Sequence, residues 1–204
     1  MSAVHYDELP FGFSWFPGEA MTRTGHALRD GDRVWLIDPV DVSDAIDRAT
    51  ALGPPAGVVQ LLDRHNRDCA AIAARLGVPH LRLPREIPGS SLEVVRVLNV
   101  PRWHELALWW PERRALVVAD AIGTTPVHAL GPGPAGIHPL LRWAPPRALR
   151  GYAPEHLLVG HGRGVHGPAA SAALADAYAR SRRDLPKLAA RVPAMVRAGR
   201  TARG

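Results

Sequence analysis

This chain of 204 residues has one cysteine, one lysine and no long apolar run, and each shortage excludes something. With Cys69 alone there is no internal disulfide and no multi-cysteine zinc site, so any metal chemistry falls to histidines and carboxylates. Ten histidines are available for it. No stretch approaches the roughly 18 consecutive apolar residues of a membrane span. The segment Met1 to Pro17 is acidic and aromatic where a secretory leader is basic and then apolar. These absences lead us to expect a cytoplasmic protein with no membrane partner. Because Lys187 is the only lysine, the net charge of +6 comes almost wholly from arginines, spread along the chain with their main cluster near its end. Abundant Ala, Gly and Pro accompany them, the mark of a biased composition. No nucleic-acid motif with interleaved aromatics goes with the charge, so nucleic acid is not the expected partner. A hydrophobic content of 47% over this length suits one core and is tight for two. We therefore expect one domain over residues 1–204, with a basic, frayed end at about 191–204.

What is present is a mixed pattern of strands and helices. Asp30-Gly31-Asp32 is a turn signal before the apolar run Arg33 to Ile37, which ends on Asp38-Pro39 and predicts a buried strand closed by a carboxylate. Val42, Ile46, Ala49 and Leu52 recur at helical spacing, and Gly53-Pro54-Pro55 ends that helix. Gly57 to Leu62 predicts a second strand, and Arg67 to Leu76 a second helix with Gly77 as its C-cap. Beyond Val78 the pattern changes to closely spaced strands at Leu92 to Val97, Leu106 to Trp110 and Ala115 to Ala119, the last two joined by a turn at Pro111 to Arg114. Ala129 to Pro146 is rich in proline and glycine and predicts a long surface connection. His156 to Val159 predicts a short strand running into Gly160-His161-Gly162, and Gly167 to Arg182 a helix. Trp109 and Trp110 alternate across their strand, so one is expected in the core and one at the surface.

The order of these parts resembles the metallo-β-lactamase superfamily from about Ala27 to about Gly167. The resemblance is carried by Asp38 at a strand end, the strand-turn-helix from Gln60 to Gly77, Trp103-His104-Glu105, Val117-Val118-Ala119-Asp120 and Leu158-Val159-Gly160-His161-Gly162. It implies a mixed α/β fold, the four-layer αβ/βα sandwich of that superfamily. In the family the strand-turn-helix carries a His-x-His-x-Asp-His motif that holds two metal sites. Counted back from Gly77, the matching stretch is Gln60-Leu61-Leu62-Asp63-Arg64-His65, which keeps His65 alone. A shifted register, Asp63 to Asp68, keeps His65 and adds two carboxylates. Either register puts an arginine, Arg64 or Arg67, where the family has its aspartate. A guanidinium stays protonated and opposes a dication, so a two-metal centre is not expected. The resemblance further assigns Asp120 to the family's bridging aspartate, His161 to its last histidine ligand, and His104 to a neighbourhood near a further ligand.

The cleft candidates are thus Arg64, His65, Arg67, Asp68, His104, Asp120 and His161. Each also has a plain structural reading. Asp120 can accept hydrogen bonds from Arg64 or Arg67 in an ion pair that replaces a metal. His161 can be a hydrogen-bonded histidine in a tight turn, and His138, His156 and His166 are expected in exposed loops. Three functions stay open. The first is a non-catalytic or weakly active pseudoenzyme without a cofactor, whose arginine-bearing cleft takes a small anionic ligand. The second is a hydrolase using one zinc-like divalent ion on His65, Asp120 and His161. The third is a regulatory or structural partner protein, with a homodimer among its forms.

Overall fold

The computed structural model describes residues 3–18, 23–65 and 68–190. Arg67 and the basic end at 191–204 lie outside the described residues. The first half begins with four antiparallel strands in a meander, β1 (Val4–Leu9), β2 (Gly12–Pro17), β3 (Gly25–Asp30) and β4 (Arg33–Ile37). Gly31, at φ 63°, makes the tight turn between β3 and β4. Helix α1 (Ser43–Leu52) then crosses over to β5 (Pro55–Gln60), which lies parallel to β4, and α2 (Cys69–Leu76) crosses to β6 (His80–Arg82), parallel to β5. Gly77 ends α2 in the left-handed conformation, and its N–H caps the carbonyls of Ala73 and Ala74. The six strands form one sheet in sequence order.

The second half opens with an antiparallel meander, β7 (Glu93–Val100), β8 (Trp103–Trp110) and β9 (Ala115–Val118). A two-stranded ribbon follows, β10 (Ile122–Gly123) with β11 (Gly136–Ile137). Strand β12 (His156–Val159) then inserts parallel to β9, β13 (Val165–His166) pairs with β12, and α3 (Pro168–Arg180) follows. This sheet has the order β13-β12-β9-β8-β7.

The period-2 alternation of the strands builds the layers. Trp35 and Ile37 of β4 meet Leu106, Leu108 and Trp110 of β8, Val117 of β9 and Leu158 of β12 in the core between the two sheets. Their neighbours face outward on both sides. Val34 and Leu36 pack under α1 and α2 with Ala45, Ile46, Ala49, Ile72 and Ala73. Leu116, Val118, Leu157 and Val159 pack under α3 with Ala170, Ala173, Leu174 and Ala177. The result is the αβ/βα sandwich read from the sequence. Trp110 is buried in the inter-sheet core, and Trp109 stacks half-buried on Tyr152.

Some expectations need correction. The stretch from Ala129 to Pro146 is not merely a surface connection: it supplies β11, the fully buried Ala135 and Ile137, and Arg142, which is 0% exposed between Asp184 and the carbonyl of His128. His156 and His166 are not in loops either. They pair across β12 and β13, half-buried, because each alternates with a core residue of its strand. No helix among the described residues is long and apolar enough to cross a membrane.

Candidate functional site

Two pairs of parallel strands, β4 with β5 in the first sheet and β9 with β12 in the second, lead into one polar cluster, to which the chain leaving each strand contributes. Asp38 follows β4 with φ 43°, a left-handed conformation that a short polar side chain tolerates. Its two carboxylate oxygens have separate partners: Oδ1 accepts the N–H of Leu61 at 3.1 Å, and Oδ2 lies 3.2 Å from Nδ1 of His65. His65 sits in the connection leaving β5 and is buried. Its other ring nitrogen, Nε2, lies 2.9 Å from Oδ1 of Asp120, the second residue beyond β9. His161, the second residue beyond β12, reaches the same oxygen, with Nε2 at 3.0 Å. Gly162 takes φ 102° after it, and a Cβ there would stand 2.2 Å from Oγ1 of Thr124. The glycine that follows His161 is therefore a steric requirement of the turn.

Charge at this cluster is set by burial and by partners. Burial works against ionisation of Asp120, but hydrogen bonds from His161 and His65, together with their charge, outweigh it and hold the carboxyl well below the usual carboxylate range. Beneath it lies Glu105 of β8, fully buried. Burial pushes its carboxyl up to about 7 against the N–H donors of Ala121, Trp103 and Asp120. Glu105 thereby anchors the backbone that carries Asp120. His128 stacks beside His161 with ring centres 6.1 Å apart, and His138 lies 5.6 Å from His128. Burial, then the neighbouring His138 and His161, lowers His128 to about 3, and burial also lowers His138.

Of the residues singled out from sequence, His65, Asp120 and His161 come together. One donor atom from each lies within 4.8 Å of the others. Arg64 is adjacent: its guanidinium lies 4.0 Å over the ring of Trp103, and Nη2 is 3.6 Å from Oδ2 of Asp120. That distance is an ion pair too long for a hydrogen bond. His104 and Asp68 stand apart. His104 is exposed on β8, with its ring Nδ1 2.9 Å from Asp63. Asp68 accepts the backbone N–H of Asp41 ahead of α2. Asp63 is thus turned toward His104, Gln60 donates to the carbonyl of Leu62, and Leu62 is fully buried in the inter-sheet core. None of the three adds a donor to the cluster.

Sequence reasoning placed His138 in an exposed loop and gave no role to Glu105 or His128. His138 is instead half-buried with its ring 4.8 Å from that of Trp103. Glu105 did carry a signal, a lone carboxylate leading the apolar run Leu106-Ala107-Leu108. His128 carried none, because the Pro/Gly-rich stretch around it has no period to read.

The donor set suits a single zinc-like ion. Two imidazoles and one carboxylate with an open position are a common catalytic arrangement for zinc. Donors bound at about 2.0–2.1 Å in a tetrahedron stand roughly 3.3 Å apart, a few tenths of an ångström beyond the spacings of 2.9 and 3.0 Å found here. Asp38 completes the fit by engaging Nδ1 of His65, which leaves Nε2 directed to the centre.

No family model and no curated protein sequence matches the chain. Solved structures do. A metallo-β-lactamase from Pontibacter korlensis superposes with a TM-score of 0.60 at 12% identity, over 87% of this chain and 99% of that one. TMB-1, described for the roles of two residues in substrate and inhibitor binding, superposes with a TM-score of 0.57 at 12% identity, over 90% and 99% of the two chains. With the sheet order, the layers and the strand-end cluster already established, this likeness over almost the whole of both neighbours means that the chain has the metallo-β-lactamase fold.

Proposed function

We propose that this protein is a hydrolase using one divalent, zinc-like ion held by His65, Asp120 and His161. The observation that carries the reading is the convergence of three donor atoms within 4.8 Å, with Asp38 behind one of them. When bound, such an ion would supply Lewis acidity and bring a water's pKa toward about 7. The chain's own residues do the rest. His65 and His161 offer Nε2, Asp120 offers Oδ1, and Glu105 keeps Asp120 in place by accepting its backbone N–H. Arg64, fixed over the face of Trp103, sets a positive charge beside the centre and favours an anionic ester or amide as substrate. A pseudoenzyme whose Arg64-bearing cleft takes a small anionic ligand is the other reading of the same charge.

Metal analysis of the full chain purified without chelator tests this directly. The expected result is about one equivalent of zinc, iron or manganese, falling below about a tenth in Asp120→Asn and His161→Ala. Asp38→Asn, which tolerates the left-handed backbone and can still accept the Leu61 N–H, should keep the fold and weaken zinc binding by about 10–100-fold. Wild-type protein with less than about a tenth of an equivalent, and no uptake on titration with zinc, would overturn the proposal.

A further inference from the structure

Apart from the strand-end centre, the structure holds a cavity of about 430 Å³ between the turn at Arg147–Leu149 and the end of α3. Arg147, Arg150 and Arg182 line it, with Tyr178 and the small residues Ala144 and Ala179. A second cavity of about 330 Å³ adjoins it through Arg150, Tyr178 and Ala179. None of these residues belongs to the His65–Asp120–His161 cluster.

Among the described residues, no carboxylate lines either cavity. Of the acids nearby, Asp184 is engaged with Arg142, Arg180 and Lys187, and Asp176 with Arg180, while Glu93 acts on Tyr152 in the wall of the second cavity. Three arginines therefore share a concave surface whose described walls carry no carboxylate, an arrangement that favours an anion. The walls hold two of the arginines in place. Arg150 lies 5.2 Å over the ring of Tyr178, whose hydroxyl donates to the carbonyl of Pro146 at 2.6 Å. Arg182 donates through Nε to the carbonyl of Trp143 at 3.0 Å, and its guanidinium stands 5.6 Å from the centre of that indole. Planar forks fixed by aromatic faces and carbonyls are well suited to paired contacts with phosphate oxygens.

Size and the adjacent aromatic narrow the ligand class. A free phosphate would leave most of 430 Å³ empty, and the volume falls in the range of pockets that enclose small organic ligands. Trp143 is 70% exposed beside this cavity, a large apolar ring available to stack on a planar group. We propose that this cavity binds a phosphorylated small molecule carrying an aromatic ring, of nucleotide size, with Arg147, Arg150 and Arg182 on the phosphates and Trp143 on the ring. The site shares no lining residue with the His65–Asp120–His161 cluster.

Titration calorimetry of ADP and of inorganic pyrophosphate into the full chain, with chelator present to silence the metal centre, tests the proposal. The expected result is saturable one-to-one binding of ADP that weakens about tenfold or more in the Arg150→Gln/Arg182→Gln double variant. Trp143→Ala should weaken ADP by a clearly larger factor than pyrophosphate, because it removes the stacking ring as well as one support of Arg182. All three side chains are at the surface, and Arg147→Gln provides a further variant should the double one fold poorly. No saturable ADP binding up to about 1 mM, or equal binding by parent and arginine variants, would overturn the proposal. So would a short single-stranded RNA bound by the same arginines far more tightly than ADP, which would make the surface a nucleic-acid site.

Discussion

His128 shows how much a buried histidine can weigh on this molecule. The residue is 5% exposed, its Nδ1 faces the hydroxyl of Thr125 at 2.8 Å, and burial with two neighbouring histidines lowers it to about 3. The unfolded chain binds that proton at the ordinary value of 6.5. A histidine lowered on folding contributes stability that is fully present above the unfolded value and is lost as pH falls from 6.5 toward 3. Urea unfolding in chelator at about pH 7 and pH 4.5 should therefore show a smaller drop for His128→Gln than for the parent. Equal drops would remove His128 from the account. At this scale the sequence is legible only in part. Asp120 and His161 could be read because each follows an apolar strand, the place where this kind of sheet presents side chains. Arg64 was legible as a cation in the cleft, but its seat on Trp103 depends on a contact between the connection after β5 and the start of β8 that no local pattern encodes.

Elements inside the repeat of strand and helix were readable because each has a period and a stop. The run Arg33 to Ile37, the helical spacing in α1 and Gly77 after α2 all express a local rule that the tertiary structure obeys. The first three strands went unread, although Phe13 and Trp15 are almost wholly buried and alternate in β2. Ser14 between them is buried as well, hydrogen-bonded to His26, so the polar half of the alternation does not mark solvent there. The turn after β12 has its own test. Gly162 at φ 102° has no room for a Cβ, and its carbonyl accepts the hydroxyl of Thr24 at 2.7 Å. Gly162→Ala should cost about 1–3 kcal/mol in urea unfolding and weaken zinc binding together with it, because the strain displaces His161. A variant of parental stability and affinity would show that the turn carries no such constraint.

The two sheets of the whole molecule are tied near the centre. The N–H of Thr24 donates to the carbonyl of Gly160 at 2.9 Å, joining the approach to β3 with the turn after β12. Farther along the seam, Asp7 of β1 accepts the N–H of Gly164 and faces Nε2 of His166, each at 3.1 Å. Burial opposes ionisation of Asp7, but its contacts with His166 prevail and lower its carboxyl. The sandwich could be anticipated because the order of its strands, helices and strand-end polar residues resembles that of the metallo-β-lactamase superfamily. The seam could not, because its partners lie more than a hundred residues apart in sequence.

His65 hangs from the first sheet, whereas Asp120 and His161 hang from the second. An ion on these three side chains would therefore be a cross-link as well as a reagent, closing one half of the sandwich onto the other where the core gives way to polar groups. A ligand that binds only the folded state at about a hundred times its dissociation constant adds about 2.7 kcal/mol. Stripping the protein with chelator should lower its melting temperature, and returning zinc should restore it in the parent but not in His65→Ala. In that sense the centre's first duty would be mechanical: it would rivet the two sheets that frame it.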